Sequence, residues 1–189
     1  MYYYNMPLKT PICDFGQAAK SFELKSTNNE IIKLNDVKGT NGTLIMFICN
    51  HCPYVIAVIK DIIQDCKHLE KLGIKAVAIC SNDSINYPED SFDKMVRFHE
   101  DHNFNFPYLL DETQVIAKNY GAVCTPDFFG YNKNLELQYR GRIRELKNLK
   151  PLRTGDSDLF IAMKQIAETS KGPETQIPSA GCSIKWLNK

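Results

Sequence analysis

The run Leu44-Ile45-Met46-Phe47-Ile48 ends in Cys49-Asn50-His51-Cys52-Pro53, and this junction limits what the chain can fold into more than any other stretch. An apolar run without polar alternation fits a strand covered on both faces, as at the centre of a sheet. The residues that follow place Val55, Ile59, Ile62, Cys66 and Leu69 at helical spacing, so the two cysteines fall on a strand-to-helix turn. Unpaired backbone N–H groups and the positive end of the helix dipole favour a thiolate there. Two thiols separated by two residues also lie close enough to close a small, reversible disulfide ring. Half a zinc site is the other reading of such a pair, but it requires a second closely spaced pair of ligands, which the sequence lacks.

Length and charge narrow the partners. At 189 residues the chain suffices for one substantial core burying roughly 70% of its unfolded surface, and is short for two domains. The expected organisation is one domain over 1–170 and a tail over 171–189. A net charge of +1, from 23 basic and 22 acidic residues, gives no global attraction to nucleic acid or an acidic membrane surface. No apolar run reaches the length of a membrane span, and Met1-Tyr2-Tyr3-Tyr4-Asn5-Met6-Pro7 lacks the charged head and apolar stretch of a signal peptide. A cytoplasmic location is expected. The seven cysteines are odd in number and dispersed, unlike a secreted disulfide framework, so each is judged by its neighbourhood.

Residues 1–20 read as irregular. Phe22-Glu23-Leu24 and Ile31-Ile32-Lys33-Leu34, across the polar turn Asn28-Asn29-Glu30, predict a hairpin. The helix after Cys52 is expected to stop near Gly73, and Ile74 to Cys80 to form a buried strand parallel to the first through a right-handed crossover. Strand–helix–strand alternation makes the fold class α/β. Pro88-Glu89-Asp90 opens a helix with Phe92, Met95, Val96 and His99 on its inner stripe, whereas Phe106 to Leu110 is too short to assign. Asp111 and Thr113 are expected to cap a helix bearing Val115, Ile116 and Tyr120 that ends at Gly121. A proline precedes the aromatic strand in Val123-Cys124-Thr125-Pro126-Asp127-Phe128-Phe129, and Leu135 to Tyr139 returns as a hairpin partner. The arginines and lysines between 140 and 153 read as a solvated basic face, with an anion site as the alternative. Asp156-Ser157 caps a last helix bearing Leu159, Phe160, Met163 and Ile166, and the chain from Lys171 on reads as irregular. Cys13, Cys66 and Cys80 are expected to be structural.

Three pieces together resemble the thioredoxin superfamily, within it a peroxiredoxin-like branch of the alkyl hydroperoxide reductase/thiol-specific antioxidant (AhpC/TSA) family. They are the leader ending in Phe22-Glu23-Leu24, the turn Cys49-Asn50-His51-Cys52-Pro53, and Tyr120-Gly121-Ala122-Val123-Cys124-Thr125-Pro126-Asp127-Phe128-Phe129. The resemblance implies a thioredoxin-like fold: a central mixed β-sheet flanked by helices, with an N-terminal β-hairpin and a C-terminal tail. It also implies that Thr125-Pro126 is a cis peptide packed against the dithiol, with the Thr125 backbone available to an incoming substrate chain.

The resemblance divides over chemistry. Cys52-Pro53 looks like the peroxidatic cysteine and following proline of peroxiredoxins, but Cys49 stands where those enzymes place threonine or serine. Cys124-Thr125-Pro126 stands where their later arginine lies. Both departures suit a dithiol exchanger, and Asn50-His51 resembles the spacer of disulfide isomerases, whose histidine stabilises the thiolate. The expected activity is thiol–disulfide exchange with an antioxidant role: Cys49 attacks, Cys52 resolves, and His51 lowers the attacking pKa. The catalytic set is then Cys49, Cys52, His51 and Pro126, with Thr125 and Pro53 against the substrate and no cofactor or bound metal. The alternatives are a thiol peroxidase with Cys52 peroxidatic, and a copper or zinc carrier using Cys49, Cys52 and His51 or Cys124. Expected partners are protein or small-molecule thiols and disulfides, peroxides in the peroxidase case, and an electron-donating thiol reductase; the expected state is monomer or homodimer. Cys182 lies in a tail whose Ile184 and Trp186 suggest docking on the domain, and with Cys124 it is a further candidate redox partner.

Overall fold

The computed structural model describes residues 7–187; the leader Met1 to Met6, read above as no signal peptide, and the last two residues lie outside the described residues. In chain order the strands are β1 (Leu8–Lys9), β2 (Glu23–Ser26), β3 (Ile31–Lys33), β4 (Gly42–Phe47), β5 (Ile74–Cys80), β6 (Tyr108–Leu110), β7 (Cys124–Thr125), β8 (Asp127–Asn132), β9 (Leu137–Tyr139), β10 (Leu146–Lys147), β11 (Lys150–Pro151) and β12 (Ala180–Ser183). The helices are α1 (Pro53–Glu70), α2 (Phe92–His102), α3 (Val115–Tyr120) and α4 (Asp158–Thr169).

The apolar run becomes β4, buried along its whole length and paired parallel to β5 and antiparallel to β8. The main sheet therefore is mixed, in the order β3-β2-β6-β5-β4-β8-β9. Successive side chains of a strand face opposite ways, and β4 fills both faces. Leu44, Met46 and Ile48 pack in one cluster with Val55, Ile59 and Ile62 of α1 and Met163 and Ile166 of α4. Ile45 and Phe47 join the other, with Ala117 and Tyr120 of α3 and with Leu34 and Val37. Each such fully buried side chain contributes about 1.5–3 kcal/mol, so the strand that carries the dithiol is anchored from both sides. The α4 layer lies so close to β8 that a Cβ at Gly130 would stand 2.4 Å from Met163 Sδ. Helix boundaries follow local chemistry. Pro53 occupies the first turn of α1, Ser157 Oγ accepts the Phe160 N–H at 2.8 Å, and Gly121 ends α3 at φ +64°.

The structure corrects three expectations. The leader is not wholly irregular, because Leu8 and Lys9 form β1 against Gly181 and Ala180 of β12; a two-residue strand has no period to read and forms only because a distant partner arrives. The segment after Lys171 contains β12 for the same reason. The 140–153 stretch is a solvated basic face only at Lys147, Lys150 and Arg153: Arg140 pairs with Asp127 at 2.9 Å, Arg142 with Asp158 at 2.8 Å and Arg144 with Asp61 at 3.0 Å. Arg140 and Arg144 are buried, so acids far away in sequence neutralise them. Val115 is exposed on α3, and His99, on the inner stripe of α2, is half-buried with its Nδ1 2.6 Å from Thr27 Oγ1.

Candidate active site

The Cys49–Cys52 turn is held by groups that sequence spacing does not bring together. The Asn50 N–H donates to Asp90 Oδ1 at 2.8 Å, and the Asn50 side chain accepts from Tyr108 Oη at 2.9 Å and donates to Glu89 O at 2.9 Å. Asp90, fully buried, also accepts from Asn82 Nδ2 at 2.8 Å, and its Oδ2 lies 2.8 Å from His51 Nδ1. Its carboxylate raises the His51 pKa above 6.5, against burial acting the other way. Asp90 is the residue that sequence reasoning missed: an acid in a helix's first turn ordinarily signals only a favourable dipole contact.

Thr125 and Pro126 sit opposite. Their peptide is cis and Pro126 is buried. Cys49 Sγ lies 3.4 Å from Thr125 Oγ1, and in its protonated form Cys52 donates to Thr125 O at 3.1 Å. Cys182 faces Thr125 across the β12–β7 ladder, which places their side chains on one side of the small sheet, toward the dithiol. Cys182 packs against the cluster that holds Cys49 and Cys52, and the thiols of Cys182 and Cys49 both act on Cys52, which makes Cys52 the middle of three neighbouring thiols. Cys124, on the opposite side of β7, is buried and bonds Pro126 O at 3.7 Å; burial raises its pKa and keeps it a neutral neighbour. Pro53 is exposed at the start of α1.

Charge among the three thiols settles on Cys52. The thiols of Cys182 and then Cys49 stabilise its thiolate and draw its pKa far below the ordinary 9.0, with Thr125 adding and burial opposing. Cys49 and Cys182, which keep their protons in those bonds and are also desolvated, are both pushed up. Cys52 is the N-cap residue of α1, whose dipole acts in the same direction. Of the remaining cysteines, Cys66 and Cys80 are core groups and Cys13 is half-buried: burial pushes Cys80 up to about 12 and Cys13 up to about 11, and it raises Cys66 as well.

Exposure orders the three thiols. Cys49 and Cys52 are 1% and 0% exposed, while Cys182 is only half-buried. The tail bearing it is fixed, with Ile184 buried, Lys185 N–H donating to Asn82 Oδ1 at 2.9 Å, and Trp186 partly exposed under the Lys118 ammonium, which stands 5.5 Å from its ring centroid. Among the described residues, Cys49, His51 and Asp90 hold donor atoms within 4.8 Å of one another. The Asp90 oxygens are already engaged by Asn50, Asn82 and His51, an arrangement of ion pair and hydrogen bonds rather than of metal ligands. Among the described residues, no helix is long and apolar enough to cross a membrane.

Comparisons with known proteins bear on the fold and the family. The chain is similar to an uncharacterized conserved protein from Geobacillus kaustophilus at 37% identity, covering 97% of each chain with a TM-score of 0.92. It is also similar to a hypothetical protein from Sinorhizobium meliloti 1021 at 31% identity, covering 98% of this chain and 100% of that one, TM-score 0.88. The thioredoxin domain of a thiol-disulfide oxidoreductase from Bacteroides vulgatus shares the fold at 14% identity, TM-score 0.57, over 71% of this chain and 89% of that one. No curated protein matches. The fold is thioredoxin-like, and the model of the AhpC/TSA family matches residues 15–146. With a mixed sheet delivering two cysteines onto a helix start opposite a cis-proline, this chain belongs to the AhpC/TSA family.

Proposed function

We propose that the chain is a thiol–disulfide oxidoreductase of the cytoplasm with an antioxidant role, cycling Cys49 and Cys52 between dithiol and disulfide. The observation that carries the reading is the placement of Cys49 and Cys52 on the turn into α1, both against Thr125 of the cis Thr125-Pro126 peptide, where the neighbouring thiols lower the Cys52 pKa. The roles differ from those expected by analogy with the Cys-x-x-Cys order. Cys52, as the thiolate, attacks a disulfide sulfur and releases one thiolate. Cys49 then gives up its proton and attacks Cys52 Sγ, which closes the Cys49–Cys52 disulfide and releases the second thiolate. The Cys49 proton goes to one released thiolate and water protonates the other, so two electrons leave the protein and two thiols form. Asp90, which raises the His51 pKa, favours the charged imidazolium beside the pair, and Pro126 and Thr125 wall the pair from water. A thiol reductase supplies the return electrons, and no cofactor is needed.

A redox titration read by alkylation and mass mapping tests this. The Cys49–Cys52 disulfide is expected with a defined midpoint, near about −270 mV for a reductant or near about −120 mV for an oxidant. A pair that never forms a disulfide overturns the reading. The depressed pKa of Cys52, followed by Pro53 in an AhpC/TSA chain, favours one second reading, peroxide reduction. There Cys52 becomes a sulfenic acid that condenses with Cys49 or Cys182 and loses water. Stopped-flow oxidation by hydrogen peroxide separates the two, since only a peroxidase outpaces free cysteine by orders of magnitude.

A further inference from the structure

We propose, resting on that exchange reading, that Cys182 is the outer thiol of the site and that its substrate is a low-mass disulfide carrying negative charge, not a polypeptide. Three observations carry this. First, the backbone edge that a polypeptide would pair with is occupied. Cys182 and Ser183 of β12 are in register with Thr125 and Cys124, and the other edge of β12 is paired with β1. Displacing β12 would also break Ser179 Oγ to Pro126 O at 2.8 Å, Ile184 N to Val123 O at 3.2 Å and Asp83 N to Lys185 O at 2.8 Å. Second, of the three neighbouring thiols only Cys182 meets solvent.

Third, the charge beside Cys182 is the Lys185 ammonium, since the His51 charge is paired with Asp90. The Lys185 ammonium donates to Ser183 O at 2.9 Å and to Ser183 Oγ at 3.1 Å, which fixes it at the residue next to Cys182. Lys185 Nζ stands 5.8 Å from the Tyr87 ring centroid, and the His51 ring stacks on the same Tyr87 at 6.0 Å and 4°. A carboxylate-bearing disulfide is drawn to such a charge, and a cationic one is repelled.

The steps balance. The Cys182 relay precedes the Cys52 attack given above: in the minor tautomer with the Cys182 proton on Cys52, the Cys182 thiolate, which solvent reaches where Cys52 is closed off, attacks the small disulfide and releases one small thiolate. Cys52 returns its proton to that thiolate and attacks Cys182 Sγ, which forms the Cys52–Cys182 disulfide and releases the second. Cys49 then displaces Cys182 from Cys52, and the Cys49 proton ends on Cys182 or the second small thiolate, with water protonating the other. The net change is the Cys49–Cys52 disulfide and two small thiols.

The test mixes the reduced full chain with glutathione disulfide, cystamine or insulin at low ionic strength and follows Cys49–Cys52 oxidation by acid quench and mass mapping. Glutathione disulfide is expected to react at least about ten times faster than cystamine, because a field of this kind raises on-rates by that order or more. That ratio should fall toward one at high salt and in Lys185→Gln, and insulin should be slowest. In Cys52→Ser the glutathione adduct should be found on Cys182. Equal rates for the two small probes, insulin reacting fastest, an adduct on Cys49, or a Cys182→Ser variant as fast as wild type each overturns the inference and leaves the exchange reading standing. If no probe oxidises the Cys49–Cys52 pair, both fall.

Discussion

Gly181→Ala acts on the contact between β12 and the cis-proline loop. A Cβ at Gly181 would stand 2.1 Å from Thr125 O, 2.7 Å from Thr125 C and 3.1 Å from Pro126 N. All three are backbone atoms, so no rotamer change relieves the clash. Since carbon packs at about 3.5 Å, β12 must retreat from β7 by about 1 Å. Overpacking of this kind costs about 1–3 kcal/mol. The alanine also restricts the unfolded chain, which returns about 0.4–1 kcal/mol. The steric effect wins, and a net loss of about 1–2 kcal/mol is expected in urea unfolding of the reduced protein. The retreat carries Cys182 off Cys52, removing the first of the two thiol donors that hold the Cys52 thiolate. The Cys52 titration, followed by thiolate ultraviolet absorbance, should therefore move up, and the Cys52–Cys182 disulfide should become scarce after mild oxidation while Cys49–Cys52 persists. Stability within about 0.5 kcal/mol of wild type together with an unmoved Cys52 titration would refute the packing argument.

Three further outcomes are expected. Arg140→Met strands the Asp127 carboxylate, whose pKa burial already raises to about 6, and should cost about 3–5 kcal/mol, most of it recovered in the double variant Arg140→Met/Asp127→Leu; a cost under about 1 kcal/mol for the single change would contradict a buried pair. Burial raises Asp65 from 3.8 to about 6, so its contribution to stability is full below pH 3.8 and is lost as pH rises through 6. Asp65→Asn should lack that slope, about 2–3 kcal/mol between pH 4 and 6, and parallel wild-type and variant curves would count against it. Asp90→Asn removes what raises the His51 pKa and leaves burial, so the carbon NMR midpoint of His51 should drop and the alkaline limb of the oxidation rate should move to lower pH; an unchanged midpoint denies Asp90 its positioning role.

Local rules were enough for part of this molecule. The unalternating run Leu44–Ile48 could only be a doubly covered strand, and the helical spacing after Cys52, with Pro53 at the first turn, fixed the dithiol on a helix start. The proline ahead of an aromatic strand marked the loop at Thr125-Pro126. These signals lie within a few residues of one another, where propensity and period act. What only the tertiary structure decided depends on long-range partners. Asp90 becomes the anchor of Asn50 and His51 only when the first turn before α2 packs under the Cys49–Cys52 turn. Arg140 and Arg144 cease to be a basic face when Asp127 and Asp61 reach them. The neighbourhood that lowers the Cys52 pKa follows from β12 folding back to set Cys182 against Thr125, a register between residues 57 apart that no local period encodes.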